Sequence, residues 1–507
     1  MRTRRSILTF LTGEVFAGVT VITGLLATPL LLRWLGEEKF GAFRVALDWY
    51  GYLSLLELGL SGALLALLAK AIGQNDIQAI RQTLAASLRA YLGAAVFMLI
   101  GGLGLAAAIT RLVPVSAANA PDLRRGSMVL LFGLAFVPLS PFRALAEARQ
   151  RGYRINALLV LQSLLITGLA LVLARAGWGI TGQCLAVVIA GVAFRFAVMA
   201  QTVRDCPGIL ATSIGLAPAT AAWRGLWNLN WPTLIFNVCG RVSLLTDNII
   251  VAGLLGPAMV VPFFLTQRLA TLAQRELQGI GNASWAALAE LYSRGELATF
   301  NQRLLELTML VTVVGTAVLV PLAAGNRHFI TLWVGPARYG GDSVTMLASI
   351  NALLLAVFSL WGWSVSGTGQ IGKMVGAMVA QTIINFTCSI LLTRSLGVIG
   401  PLLGTLFSFL AVSMWYLPLL LRRLFGISLK ELVGAVALPL GLGLPYALMV
   451  WCLAGGGGPT GMLEMTVQIA ALALVYLASC WLMVLKHPDR MRWANRMRMT
   501  LRPRAAD

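Results

Sequence analysis

Long apolar stretches recur along almost the whole chain and are separated by short connections. Fourteen of them are long enough to cross a bilayer as helices: 8–32, 43–68, 83–110, 126–147, 155–175, 180–203, 227–254, 259–283, 304–324, 344–366, 374–394, 400–421, 433–454 and 463–485. A hydrocarbon core about 30 Å thick needs about 20 apolar residues in a helix, and lipid leaves open sheet edges unsatisfied. The sequence therefore predicts an all-α polytopic membrane protein with about 14 transmembrane helices.

Composition and charge agree with this class. Of the 507 residues, 58% are hydrophobic and 11% are charged, whereas soluble proteins carry about 25% charged residues. The net charge of +20 does not indicate nucleic acid binding, because no basic domain interleaved with aromatic residues is present. Lys and Arg are instead enriched in the connections that lie on the same side of the membrane as the N-terminus. This enrichment predicts that both termini are cytoplasmic. The basic C-terminal tail, residues 486–507, then contacts anionic lipids or, alternatively, a partner protein.

Residues that carry common enzyme chemistry are scarce. The six cysteines form no CxxC pair, and the two histidines, His328 and His487, fall in predicted connections. We therefore expect no metal site, no disulfide framework and no histidine-based catalytic centre. The longest predicted outer loop is too short to build an acid/base site alone, so we do not expect an enzyme.

An internal repeat relates the first twelve predicted spans to one another. Four patterns align in chain order at shifts of 218 to 220 residues: Leu35-Gly36 with Leu255-Gly256, Glu57-Leu58 with Glu276-Leu277, Gln162 with Gln381, and Gly179 with Gly397. Six spans per half is an even number, so both halves enter the membrane in the same sense. The repeat thus predicts two pseudo-symmetric six-helix lobes with a substrate site between them.

The repeat also predicts the domain organisation. It gives an N-terminal lobe at 1–210, a Pro- and Gly-containing cytoplasmic linker at 211–226 and a C-terminal lobe at 227–425. Two extra helices at 426–485 have no counterpart in the repeat, and a basic cytoplasmic tail follows at 486–507.

Charges inside the predicted spans are the first candidates for a functional site. A charged group at mid-membrane is costly and tends to face a bundle interior or a water-filled path. Arg241 and Arg268 both fall near the middle of their spans, and Asn230, Asn237 and Asn248 share one helical face with Arg241. Because guanidinium groups stay charged and match phosphate oxygens bidentately, these residues predict an anionic substrate.

Intramembrane acids supply candidates for gates and proton transfer. Asp48 and Arg268 are equivalent in the repeat, so they form either a gate between the lobes or a static ion pair. Glu57 and Glu276 are also equivalent and form either a cytoplasmic-side gate or structural groups that reach the interface. Glu14 is a candidate proton relay, or the partner of a neighbouring arginine.

Several short motifs resemble a known transporter family. RWLGEEKFGAF, LLELGLSGALLALLAK and TDNIIVAGLLG are similar to segments of polysaccharide-transporter (Wzx-type) flippases. These belong to the multidrug/oligosaccharidyl-lipid/polysaccharide exporter (MOP) superfamily. The resemblance implies a flippase of the bacterial inner membrane that turns an undecaprenyl-diphosphate-linked oligosaccharide from the cytoplasmic to the periplasmic leaflet by alternating access. It also implies cavity arginines that hold the diphosphate, roles that Arg241 and Arg268 fit, and a polysaccharide polymerase as a partner.

The resemblance further implies a coupling ion, H⁺ or Na⁺, and no other cofactor. Related lipid II flippases bind Na⁺ between spans 7, 11 and 12. In this chain Asp247, Gln381, Asn385 and Thr405 offer oxygen ligands on those spans. Alternatively, Gln381 and Asn385 only form hydrogen bonds between neighbouring helices.

Two other functions remain open at this stage. A multidrug exporter of the same fold moves mostly organic cations, which the arginines of spans 7 and 8 would repel. A membrane polymerase or ligase that acts on lipid-linked sugars would need a larger outer loop than this chain offers.

Overall fold

The computed structural model describes residues 2–57, 60–207, 220–227, 231–455 and 461–484. Helices make up nearly all of these residues, and no strand occurs among them, so the predicted all-α polytopic class is confirmed. The helices of the first half are α1 (Arg2–Leu35), α2 (Glu37–Leu53), α3 (Leu60–Gly73), α4 (Ile77–Leu112), α5 (Ala120–Leu134), α6 (Ser140–Ala148), α7 (Gly152–Arg175), α8 (Gly179–Asp205), α9 (Thr220–Trp227) and α10 (Trp231–Leu255). Those of the second half are α11 (Pro257–Thr266), α12 (Arg268–Ser293), α13 (Leu297–Val334), α14 (Asp342–Gly367), α15 (Val375–Leu396), α16 (Gly400–Ser408), α17 (Met414–Phe425), α18 (Leu429–Gly455) and α19 (Met462–Met483).

Eleven helical stretches within the described ranges are long and apolar enough to cross a membrane, or twelve if the bent pair 37–57 and 60–73 is one span. One of these stretches, Ile371–Phe425, contains two predicted spans separated by a turn at Gly397–Ile399. The predicted span 259–283 is broken rather than continuous, because α11 ends at Thr266 and α12 begins at Arg268. At this break the Gln267 side-chain amide donates to the Phe263 carbonyl at 3.1 Å and satisfies one acceptor at the end of α11.

Turns with positive φ recur at the offsets of the sequence repeat. Gly36 (φ 77°) connects α1 to α2, and Gly256 (φ 96°) connects α10 to α11. Three further pairs with positive φ stand at equivalent positions: Asn75 with Gly295, Gln150 with Gly369, and Gly179 with Gly397. Because L-residues rarely adopt this conformation, its return at four equivalent positions supports a structural duplication.

The chain divides into two compact units. The first runs to Val261 and also takes Thr393–Pro401, and the second contains Pro262–Leu392 and the described residues from Leu402 onward. Helix α10 therefore packs with the first unit, although the repeat predicts it as the first helix of the C-terminal lobe. The lobe boundaries of the repeat stay a prediction. Of the predicted linker, 220–226 lies in helix α9, and the part before it lies outside the described residues.

The first unit is held by an apolar core among α3, α4, α6 and α8. Leu64, Leu84, Tyr91 and Phe142 are almost completely buried there, and Leu226 of α9 packs against the same core. Between membrane helices, close van der Waals packing of such side chains stabilises the contact. This core holds α8, the helix that carries Arg195.

In the second unit, the two predicted extra helices attach to α13 through a pair of buried tyrosines. Tyr446 of α18 stacks on Tyr476 of α19 with ring centroids 4.6 Å apart. The Tyr446 hydroxyl donates to the Ala317 carbonyl of α13 at 3.1 Å, and the Tyr476 hydroxyl donates to the Pro439 carbonyl at 2.6 Å. Both rings thus bury their apolar faces and still satisfy their polar tips.

Candidate functional site

A polar seam joins α2 to α10 within the first unit. Asn248 Nδ2 donates to Asp48 Oδ2 at 2.8 Å, and one turn away the hydroxyl groups of Tyr52 and Thr246 lie 2.5 Å apart. Asp48 is 8% exposed and Thr246 is 2% exposed. Buried polar groups that satisfy each other in this way specify one register between two helices, because any slip would leave them unpaired. We call these four residues the α2–α10 seam.

Two glycines of α2 permit the close approach that the seam requires. A Cβ atom at Gly51 would lie 3.1 Å from Leu245 Cδ1, and one at Gly41 would overlap the carbonyl group of Pro257. Small residues at helix contacts let backbones approach, which is the usual way to pack helices in a membrane. The contact between α2 and α10 is therefore shaped both by small residues and by paired polar groups.

Asp48 was predicted to pair with Arg268, and the structure describes the surroundings of each residue separately. In the first unit, Asp48 accepts the bond from Asn248, and Arg44, one turn earlier on α2, acts on it electrostatically. Arg268 is the half-buried first residue of α12 in the second unit. The gate between them stays a prediction. Arg44 was missed by the sequence reasoning, although its i, i+4 spacing to Asp48 was the available signal.

A second group of charges surrounds Glu57. This residue ends the short 3₁₀ turn Ser54–Glu57 between α2 and α3. Arg195 of α8 and Arg241 of α10 both act electrostatically on its carboxylate, Arg195 more strongly. Among the described residues, none forms a hydrogen bond or an ion pair within 4.0 Å with any of these three side chains. Two guanidinium groups around one carboxylate leave a net positive charge, and we call this group the Glu57 cluster.

The predicted polar face of α10 divides into two parts. Asn237 and Arg241 are exposed, whereas Asn248 is turned toward Asp48 in the seam. Asn230 lies outside the described residues. An exposed arginine in a membrane-spanning helix does not face lipid when it can face water, so the Asn237–Arg241 face indicates a water-filled space. The anion-binding role of Arg241 stays a prediction.

The residues predicted for a coupling ion fall in both units. Asp247 belongs to the first unit, and its Oδ1 atom is buried without a hydrogen-bond partner among the described residues. In the second unit, Asn385 Nδ2 donates to the Thr405 hydroxyl at 2.9 Å, and the Ser413 hydroxyl donates to Gln381 Oε1. Gln381 and Asn385 therefore do form the hydrogen bonds between helices that were considered as the alternative. The ion site stays a prediction.

The remaining candidates lie apart from these groups. Glu14 is exposed on α1, and Glu276 is exposed on α12 in the second unit. No cluster of three His, Cys, Asp or Glu side chains that could hold a metal occurs in the described part of the chain. The basic tail 486–507 lies outside the described residues.

No protein-family model matches the chain, and no curated protein matches its sequence. Solved structures match it over most of its length. Lipid II flippase MurJ, in an inward closed conformation, superposes with a TM-score of 0.71 at 13% sequence identity, covering 96% of this chain and 100% of that one. A multidrug resistance MATE family transporter of the MOP superfamily, in an inward-facing conformation, gives 0.63 at 15% identity and covers 83% of this chain and 99% of that chain.

A third match is a MOP superfamily transporter from Pyrococcus furiosus, with a TM-score of 0.59 at 14% identity, covering 82% of this chain and 94% of that chain. The description of that structure notes a reversed polarity of its binding pocket. The chain therefore has the fold of MOP superfamily transporters. Membership of the Wzx-type family stays a prediction.

Proposed function

We propose that the protein is a MOP superfamily transporter of the bacterial inner membrane. Its cargo is an undecaprenyl-diphosphate-linked oligosaccharide, moved from the cytoplasmic to the periplasmic leaflet by alternating access. The observation that carries this proposal is the net positive Glu57 cluster, with Arg241 exposed on α10 beside Asn237. A guanidinium fork and a neighbouring amide suit the oxygens of a diphosphate, while an organic cation would be repelled.

Two features of the structural comparisons support a lipid-linked cargo. The matched structure whose name states such a cargo is the lipid II flippase, and it covers 96% of this chain. The multidrug transporter covers 83%. The chain is thus matched more completely by the lipid II flippase than by this inward-facing multidrug transporter, although the identities are similar.

In this proposal Arg241 binds the diphosphate, and Arg268 is a second candidate cationic residue. Glu57 lowers the net charge of the cluster, so that the anion is released as well as bound. Asp247 carries the coupling ion, because a buried carboxylate without a partner is costly unless a proton or a metal cation neutralises it. In that role Asp247→Asn removes the dependence of transport on an ion gradient, while substrate binding is retained.

The test is a translocation assay in proteoliposomes that contain a fluorescent undecaprenyl-diphosphate-linked sugar. A membrane-impermeant quencher reports how fast the label leaves the outer leaflet or reaches it. Arg241→Gln is expected to slow translocation by about 10- to 100-fold, because hydrogen bonds to charged groups contribute about 1.5–3 kcal/mol. Arg241→Lys keeps the charge but not the fork, so an intermediate rate is expected.

Arg89→Gln is the matched control, because Arg89 is an exposed arginine on α4 of the same unit. It should transport at the wild-type rate. Equal translocation rates for Arg241→Gln and Arg89→Gln would show that Arg241 does not bind the cargo. In cells, a deletion strain should accumulate the lipid-linked oligosaccharide on the cytoplasmic leaflet.

A second function is an exporter of organic cations, and one observation favours it. The first unit contains several carboxylates, among them Asp48, Glu57 and Asp247, and the fold is shared with a multidrug transporter. The same proteoliposomes distinguish the two functions. Proton-driven efflux of a cationic dye, without movement of the labelled lipid, would replace the flippase proposal with this one.

A further inference from the structure

A small cavity inside the first unit is lined in part by Arg195, Gln162 and Ser140, whose side chains form no hydrogen bond with a described residue. It has a volume of about 230 Å³ and lies between α6, α7 and α8. Arg195, Gln162, Ser140, Arg143 and Gly191 line it together with apolar side chains. We call it the Arg195 pocket. It is smaller than the roughly 300–1,000 Å³ of sites for drug-sized molecules, so its ligand is a small group.

The donors in the pocket are available. No described residue forms a hydrogen bond with the side chain of Arg195, Gln162 or Ser140. Arg143 Nε pairs with Glu147 Oε1 at 2.8 Å and is 49% exposed, so this side of the pocket reaches the surface of the unit. A half-buried guanidinium with no direct ion pair is a costly arrangement, which an anion in the pocket would relieve.

Arg195 and Gln162 also lie at the same depth. Arg195 precedes the end of α8 at Asp205 by ten residues, and Gln162 follows the start of α7 at Gly152 by ten. Both are therefore about 15 Å from the cytoplasmic ends of their helices, close to half of a hydrocarbon core about 30 Å thick. At that depth, water alone is a poor partner for a guanidinium, and a bound anion is a good one.

Gly191 keeps the space between these donors open. A Cβ atom there would lie 3.9 Å from Arg195 Nη1 and 4.0 Å from Gln162 Nε2. An alanine would fit at ordinary contact distance, whereas a larger side chain would project toward the two donors. The absence of a side chain at this position leaves room for a ligand that touches both.

We propose that the Arg195 pocket binds a phosphate-type oxyanion, held by the guanidinium fork of Arg195 and the amide of Gln162. The planar fork matches two oxygens of a tetrahedral phosphate, and the Gln162 amide and Ser140 hydroxyl supply further donors. Glu57 is the resting counter-charge of Arg195 and competes with the ligand. The phosphate comes from a lipid head group or from a free anion. The proposal does not depend on which cargo the protein moves.

The experiment measures binding to the purified full chain in a phosphate-free maltoside detergent. Inorganic phosphate is titrated by calorimetry in one arm, and in the other arm phosphatidic acid is titrated and its retention is read by native mass spectrometry. Arg195→Gln is expected to weaken binding at least about tenfold, in line with the loss of a charge-assisted hydrogen bond. Glu57→Gln is expected to strengthen binding several-fold, because it removes the competing carboxylate.

A pair of glycine variants guards against loss of folding. Gly191→Leu fills the pocket without removing charge and is expected to weaken binding at least tenfold, while Gly191→Ala should bind as the wild type does. Arg89→Gln is the matched charge control. Binding in the lipid arm alone identifies a head group, and binding of inorganic phosphate identifies a free anion. The proposal is overturned if neither probe binds, or if Arg195→Gln binds as tightly as Arg89→Gln.

Discussion

The two repeated halves differ most clearly at the Arg195 pocket. Gly179 and Gly182 align with Gly397 and Gly400 at a shift of 218 residues, and the same shift aligns Gly191 with Phe409 and Arg195 with Ser413. In the first unit the pocket is open, and its Gln162 makes no hydrogen bond with a described residue. In the second unit the Ser413 hydroxyl donates to Gln381, the counterpart of Gln162.

Phe409 stands at the position equivalent to Gly191 in the second unit. Its ring is 3% exposed and meets Phe358 edge to face, with centroids 5.5 Å apart. Phe358 aligns with Leu139 of the Arg195 pocket at a shift of 219. One scaffold therefore holds a cavity with a cation in one unit and a packed, neutral core in the other. The comparison teaches that a few residues decide whether this scaffold is open or packed, here a glycine in place of an aromatic residue and an arginine in place of a serine.

The largest expected effect follows from removal of the Phe409 ring, which is buried in the second unit. Phe409→Ala should lower the free energy of unfolding by about 3–5 kcal/mol, because it opens a cavity in a packed core. Phe407→Ala, two residues earlier on α16, is the matched control, since its ring is 50% exposed. Thermal unfolding in detergent checks both variants. Equal losses of stability in the two would show that Phe409 is not a core residue.

Much of the fold could be predicted from the sequence because hydropathy and turn chemistry are local. The apolar stretches predicted the spans, and Gly36 and Gly256, where the chain turns, fall in the predicted connections. The break at Gln267 was missed, because the apolar content of α11 hides where its helix ends. The pocket could not be predicted, since it depends on which way Gly191 faces and on how three helices are rotated toward one another. Hydropathy reports neither property.

The same reason decides which candidate residues could be picked out from the sequence and which could not. Arg241 stood out because a charge within an apolar span is visible in the sequence. Tyr52 and Thr246 did not stand out, because neither is charged and their contact joins residues 194 positions apart. Asn248 was assigned to the substrate face, but the structure turns it toward Asp48. Contacts between spans depend on helix rotation, which one sequence does not specify.

The next largest effect concerns Asp48 of the first unit, whose counterpart in the repeat is Arg268. Asp48→Ala should lower the free energy of unfolding by about 1–3 kcal/mol, because Asn248 loses its acceptor inside the α2–α10 seam. Asp48→Asn keeps an oxygen acceptor and should lose less. If Asp48→Asn abolishes transport while stability is retained, the charge itself is needed, as the predicted gate with Arg268 requires. If both stability and transport are retained, Asp48 has only a structural role.

The two equivalent glutamines should separate stability from binding. Gln381→Leu should lower the free energy of unfolding by about 1–2 kcal/mol, because it leaves the Ser413 hydroxyl without its acceptor. Gln162→Leu should change stability by less than about 0.5 kcal/mol, as is usual where no interaction is lost, yet it should weaken phosphate binding. Unfolding curves and the calorimetric titration measure the two properties on the same samples. Loss of stability in both variants would mean that the two units are alike at this position.

The smallest effects concern the turns, where the two halves use different residues for the same conformation. Gln150 adopts a positive φ of 57° in the first unit, and its counterpart Gly369 adopts 76° in the second. A left-handed conformation costs an L-residue about 1–2 kcal/mol, and glycine carries an entropic penalty of about 0.5–1 kcal/mol. Gln150→Gly should therefore stabilise the protein by up to about 1 kcal/mol, and Gly369→Gln should destabilise it by a similar amount.

Asn75 and Gly295 are the internal control for this exchange, because asparagine tolerates positive φ better than glutamine does. Asn75→Gly should therefore change the unfolding temperature less than Gln150→Gly. The reverse order would mean that neighbouring contacts, and not backbone strain, determine the residue at these turns. The expected order would mean that backbone strain is present at Gln150 and absent at Gly369. The two halves would then differ in their connections as well as in their cores. Unfolding temperatures of the three single variants, measured in one detergent, decide between the two outcomes.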